Sequence, residues 1–172
     1  DADGDKLTKG SSLSIMPKVG YMINEDLGLE VMAGYRGTGT DVTPGDDGGF
    51  TRTYGMSFGV GATYFMGSEK LFFSPQARFL YASDVTKVSV QDDNGDWGLE
   101  KTGSTNSMTI EVVPAVTYFF NSNWSGVLAL GSLGYTSATD KNADGDKTGS
   151  NGQFALNANL STVQVGVSYW FK

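Results

Sequence analysis

The stretch Thr53-Tyr54-Gly55-Met56-Ser57-Phe58-Gly59-Val60-Gly61-Ala62-Thr63-Tyr64-Phe65-Met66 decides the fold. Tyr54, Met56, Phe58, Val60, Ala62, Tyr64 and Met66 share one face of an extended chain, and Thr53, Gly55, Ser57, Gly59, Gly61 and Thr63 share the other. That period of two marks a β-strand with unlike faces. A soluble barrel or sandwich needs its large apolar side chains inside. Here the inward-sized set is small and polar, so the apolar set is assigned to lipid and the fold to a transmembrane β-barrel.

The pattern recurs along the chain, and strands are read at 11–23, 27–36, 53–66, 71–83, 107–120, 124–136 and 153–171. Leu13, Ile15, Pro17, Val19, Tyr21 and Ile23 alternate with Ser12, Ser14, Met16, Lys18 and Gly20. Leu27, Leu29, Val31, Ala33 and Tyr35 alternate with Gly28, Glu30, Gly34 and Arg36. Met108, Ile110, Val112, Pro114, Val116, Tyr118 and Phe120 do the same against Thr109, Glu111, Ala115 and Thr117. The phase slips near Gly131 and again between Leu160 and Val163, where β-bulges are expected. Asn24–Asp26, Gly67–Lys70 and Asn121–Asn123 read as tight turns, and the connections between those hairpins read as long Asp- and Gly-rich loops. Short turns at one end and long loops at the other are the membrane-barrel habit. Proline recurs in Ile15-x-Pro17-x-Val19, Phe73-x-Pro75-x-Ala77 and Val112-x-Pro114-x-Val116, where a lost ladder hydrogen bond predicts a bend or a bulge.

Composition fits one domain over residues 1–172. Mean hydropathy is −0.22, and no run approaches the roughly 18 apolar residues of a membrane helix. A barrel escapes such averages because only alternate residues meet lipid. With neither Cys nor His, the chain offers no disulfide and no Ser–His or Cys–His nucleophile, and it is read as a non-enzyme. Segments 1–10, 37–52, 84–106 and 137–152 hold 14 of the 19 acidic and 7 of the 12 basic residues, which accounts for the whole net charge of −7. No basic footprint for nucleic acid is present.

The C-terminal Gln164-x-Gly166-x-x-Tyr169-x-Phe171 resembles the insertion signal of bacterial outer-membrane proteins, which the barrel-assembly machinery recognises. Lys172 departs from that signal by following its last aromatic residue. With Pro17-Lys18-Val19-Gly20-Tyr21 and Val165-Gly166-Val167-Ser168-Tyr169, the chain resembles, over its whole length, the small "porin family" outer-membrane β-barrel proteins of Gram-negative bacteria. Their relatives in architecture are the OmpA and OmpX types. The resemblance implies an eight-stranded, antiparallel up-and-down barrel in the bacterial outer membrane, with a lumen narrow enough for side chains to fill. The functional expectation is a structural or loop-mediated binding role at the cell surface, with outer-membrane lipid and an envelope or surface protein as partners. A narrow channel for small solutes is the runner-up, and a soluble lipocalin-like binder comes third.

Aromatic residues gather at strand ends. Tyr21, Tyr64, Phe73, Tyr118, Phe120, Trp124, Tyr169 and Phe171 fall near the short turns, and Tyr35, Tyr54, Tyr81 and Tyr135 near the long loops. Two interfacial girdles have this distribution. On the inward face lie Lys18, Glu30, Arg78, Glu111 and Gln164, a candidate lumen network in which Arg78 pairs with Glu111 and Lys18 with Glu30. Asp140-x-Asn142-x-Asp144-Gly145-Asp146 matches the start of a calcium loop, although Asn151 replaces its bidentate Glu; solvated Asx-turns compete with that reading. Asp1–Asp5 and Asp92–Asp96 are looser echoes of it.

A bacterial barrel normally has an even number of strands. Seven readable strands therefore lead to the expectation that the first strand is missing, and that residues 11–23 and 153–171 keep unpaired edges. Direct parallel pairing of the first and last strands is the competing outcome.

Overall fold

The computed structural model describes residues 8–42, 49–91, 97–157 and 163–171. All regular structure among them is β, and no helix there is long and apolar enough to cross a membrane. The strands are β1 (Thr8–Ile15), β2 (Lys18–Met22), β3 (Leu27–Val42), β4 (Gly49–Tyr64), β5 (Met66–Ser68), β6 (Leu71–Phe73), β7 (Gln76–Gln91), β8 (Trp97–Val113), β9 (Ala115–Phe119), β10 (Trp124–Leu130), β11 (Ser132–Asn142), β12 (Lys147–Asn157) and β13 (Val163–Phe171). They are short pieces of longer passes. β1 and β2 form one pass, as do β4 and β5, β6 and β7, β8 and β9, β10 and β11, and β12 and β13.

Proline causes three of the breaks. Pro17, Pro75 and Pro114 lack an N–H, so each drops one ladder bond, yet their carbonyls still accept from the N–H groups of Ala33, Tyr64 and Leu130 at 3.2, 3.1 and 2.9 Å. The register is the same before and after Pro17, where Ile15 faces Tyr35 and Lys18 faces Met32. That proline therefore interrupts the ladder without making a bulge. Gly131 behaves differently. It has φ +84°, and across it Ala129 faces Ala115 while Leu133 faces Val112, so the register slips by one residue. The second expected slip, between Leu160 and Val163, lies outside the described residues.

Each pass pairs antiparallel with the next, and the sheet curls until the last strand meets the first. β13 bonds to β2 in parallel, with Tyr169, Trp170 and Phe171 opposite Val19, Gly20 and Tyr21. This corrects the expectation of two free edges at this contact, and the described residues form seven passes. Unpaired backbone groups at an edge are costly to leave dry, and here the curl brings two such edges together. Above this contact the seam changes. Among the described residues, β1 pairs only with β3, and Val163–Ser168 of β13 only with β10.

A second correction concerns the long loops. Residues 37–42, 84–91, 97–106, 137–142 and 147–152 continue the strands as tall hairpins. Thr and Val suit a pleated backbone, and once one strand extends, its neighbour satisfies backbone groups by following it.

Exposure separates the two faces. Val31, Phe58, Val60 and Ile110 point outward, the last two 55 % and 63 % exposed, while Glu30, Met32, Thr63, Gln76, Arg78 and Ser168 are buried on the inner face. The polarity is therefore inverted relative to a water-soluble sheet, as the stretch around Val60 implies.

Candidate functional site

The inner face is organised in rows that run across the strands. Gly20, Glu30, Gly61, Arg78, Glu111 and Gly134 are successive register partners, so charged residues and glycines share one level. Arg78 lies 2.9 Å from Glu111, its direct cross-strand partner. Lys18, one inward position from Gly20, lies 3.0 Å from Glu30, whose other oxygen accepts from Thr63 Oγ1 at 3.1 Å. Glycine makes the row possible. A β-carbon at Gly61 would sit 3.3 Å from both Arg78 Cγ and Glu30 Cγ, and one at Gly134 would sit 2.6 Å from the β-carbon of Glu111.

A second row repeats the device nearer the loop end. Arg36, Gly55, Asp84, Thr105 and Asp140 are register partners. Arg36 reaches across Gly55 and donates through Nε and Nη2 to both carboxylate oxygens of Asp84. Thr105 Oγ1 donates to Asp140 at 2.7 Å. The alternation counted from Arg78 assigns Asp84 inward as well, which adds it to the five residues expected in the lumen.

At the turn end the inner face becomes aromatic. Phe65, Phe72, Phe119 and Trp170 pack edge-on or tilted, with ring centroids 5.2–5.8 Å apart. Such contacts add about 0.5–1.5 kcal/mol per pair beyond area burial. Phe65 and Trp170 are almost wholly buried, and the indole Nε1 donates to Ser125 at 3.0 Å. Beside them Val113, Ala115, Val127 and Ala129 form a small apolar core. This floor separates a cavity of about 380 Å³ that touches Lys18, Gln76 and Arg78 from an open mouth of about 780 Å³ lined by Phe65, Phe72 and Phe119. Trp170 lies between two residues of the expected insertion signal, and alternation alone would have turned it inward. Replacing Gly20, which lies under its ring, with Val is expected to cost about 1–3 kcal/mol through overpacking. Chemical unfolding followed by tryptophan emission would register this as an earlier midpoint with a displaced Trp170 signal; an unchanged midpoint would count against the contact.

The remaining candidates fall as follows. Gly166 and Phe171 lie on β13, with Gly166 facing open space and Phe171 exposed, while Tyr169 packs edge-on against Trp124 and Phe171 on the outer face. Gln164 pairs through its backbone with Ala129; its side chain lies outside the described residues, as does Lys172. The calcium candidate resolves into a turn. Asn142 Oδ1 accepts from the Asp146 N–H at 2.8 Å, Gly145 takes φ +95°, and Asp140 is engaged by Thr105, so Asp140, Asn142, Asp144 and Asp146 do not converge as a ligand set. No cluster of three or more acidic side chains suited to a metal occurs among the described residues. The Asp1–Asp5 and Asp92–Asp96 echoes lie outside them.

Comparison with family models, with curated proteins and with solved structures finds no match to this chain. The functional reading therefore rests on its own geometry.

Proposed function

We propose that this chain is a non-enzymatic, integral β-barrel protein of the bacterial outer membrane, with a structural or hairpin-mediated binding role at the cell surface. One observation carries the reading: large apolar side chains cover the outside of the curled sheet while charged and hydroxyl groups fill the inside. Water would penalise that arrangement, and a bilayer rewards it. The outward aromatic pairs Tyr118–Phe120, Trp124–Tyr169 and Tyr169–Phe171 at the turn end suit an interfacial girdle. Insertion by the barrel-assembly machinery and a protein partner for the tall hairpins belong to the same proposal.

Replacing Val60 or Val116 with Arg is expected to cost about 2–4 kcal/mol at the bilayer midplane, whereas Thr148→Arg on a hairpin should be nearly neutral. Heat-modifiable gel migration and reversible unfolding in vesicles would measure this. Equal tolerance at all three positions, or solubility without detergent, would end the membrane reading.

The eight-stranded form is the finer part of the proposal. A further strand fits the seam above the parallel contact, where Gly10–Ile15 and Val163–Ser168 lack a partner on that side among the described residues. Register partners on adjacent strands lie about 4.8 Å apart. A Val19→Cys/Tyr169→Cys protein should therefore form a disulfide if the two strands touch, and should fail to if a strand intervenes along the whole seam.

A narrow channel is the second reading, favoured by the cavity that Lys18, Gln76 and Arg78 line. The aromatic floor opposes it, and planar-bilayer conductance distinguishes the two.

A further inference from the structure

Gln76 Nε2 and Arg78 Nε, two donors buried on the inner face, have no hydrogen-bond partner among the described residues. Gln76 is 1 % exposed and Arg78 9 %, and a buried donor left unpaired is unfavourable. The neighbours of Gln76 explain why it is left over. Its register partners are Thr63, whose hydroxyl is directed at Glu30, and Val113, which is apolar. Arg78 meets Glu111 through Nη2, and a guanidinium keeps further donors after one such contact. The two residues stand two apart on β7, so they share a face and their Cα atoms lie about 7 Å apart.

Both residues line the cavity of about 380 Å³, and Lys18 lines it too. Glu30 and Glu111, the partners of the two cations, are not part of that wall among the described residues. Met32, Val127 and Ala129 are, and all three are buried. The wall thus combines surplus donors with apolar groups, and a ligand that accepts hydrogen bonds at one end and is apolar at the other matches both. A charged donor favours an ionised acceptor, and a carboxylate has two oxygens with which to bridge Gln76 and Arg78. One water occupies about 30 Å³, so the space exceeds what two donors alone require. We propose that this cavity is a binding chamber for a short-chain alkanoate. Its carboxylate accepts from Gln76 Nε2 and Arg78 Nε, and its chain packs against Met32, Val127 and Ala129. The proposal stands on the inner face alone and is independent of the membrane reading.

The test uses the full chain in lipid nanodiscs, or in buffer should it dissolve there, so that failure of the membrane reading leaves the test intact. Hexanoate is titrated while nuclear magnetic resonance follows the side-chain N–H signals of Gln76 and Arg78. Both should shift saturably and with one midpoint. Hexanol, which keeps the chain without the charge, should bind about tenfold more weakly, the effect of losing one charge-assisted bond. Gln76→Leu should weaken hexanoate to a similar degree at the Arg78 signal, and Ala129→Phe, which fills the chamber, should abolish binding. Should either variant fail to fold, the titration of the unaltered protein decides on its own. Equal binding of hexanol overturns the proposal. Signals that hexanoate does not move, but that exchange with water, overturn it by assigning the chamber to water. Inorganic phosphate binding as tightly as hexanoate overturns the alkanoate and assigns a free oxyanion. Movement of both signals on Gln164→Ala in the ligand-free protein also overturns it, because that side chain would then be their acceptor.

Discussion

Glu111→Ala is expected to destabilise the protein by about 3–5 kcal/mol, because it leaves Arg78 charged and without its partner. Arginine cannot shed its proton to escape, and its side chain is only 8 % exposed. The adjacent cavity of about 380 Å³ touches Arg78 and offers some room for water, which points to the lower end of the range. The double replacement Arg78→Met/Glu111→Leu should recover most of the loss, since a buried pair exchanged for apolar groups of similar size is often neutral or better. Urea titration in detergent micelles or vesicles measures both proteins. A single variant as stable as the parent would show that Arg78 is solvated, and the inner face would then be better described as a wet channel.

The second large effect belongs to Trp170. Trp170→Ala should cost about 3–5 kcal/mol as a large-to-small change in a packed site. The ring contacts Phe65 at a centroid distance of 5.2 Å, covers Gly20 and Gly28, and satisfies Ser125. Removing Phe65 as well should join the inner cavity to the turn-side mouth, because these rings form the floor between them. Conductance that appears in Trp170→Ala/Phe65→Ala and is absent from the parent would support a plugged lumen. Equal conductance in both would favour the channel.

Much of this architecture is readable from period-two alternation. The stretch around Val60 assigns each residue to a face, and counting residues from the short turns is enough to set Arg78 beside Glu111 and Lys18 near Glu30. The Arg36–Asp84 pair was reachable by the same counting but was hidden by assigning Asp84 to a loop. That assignment failed because polarity was taken as the end of a strand. A hairpin with polar residues on both faces remains paired through its backbone. The bulge in β8, where Gly103 faces Thr86 and Lys101 faces Lys87, was less legible: it inverts the facing of every residue beyond it, and Gly103 alone is a weak sign of one. The parallel contact of β2 with β13 could be listed as an outcome but not chosen, since closure depends on accumulated curl over the whole sheet.

That contact also bears on how the molecule assembles. Every antiparallel pairing joins neighbouring passes, so each forms by zipping a hairpin whose two arms are already tethered. The Val19–Tyr169 contact instead joins residues near opposite ends of the chain. Its loop-closure entropy is the largest in the fold and is recovered last. The clasp should therefore be the final structure to form and the first to release, with the amides of Val19–Tyr21 and Tyr169–Phe171 exchanging with solvent well before those in the middle of β4 and β7.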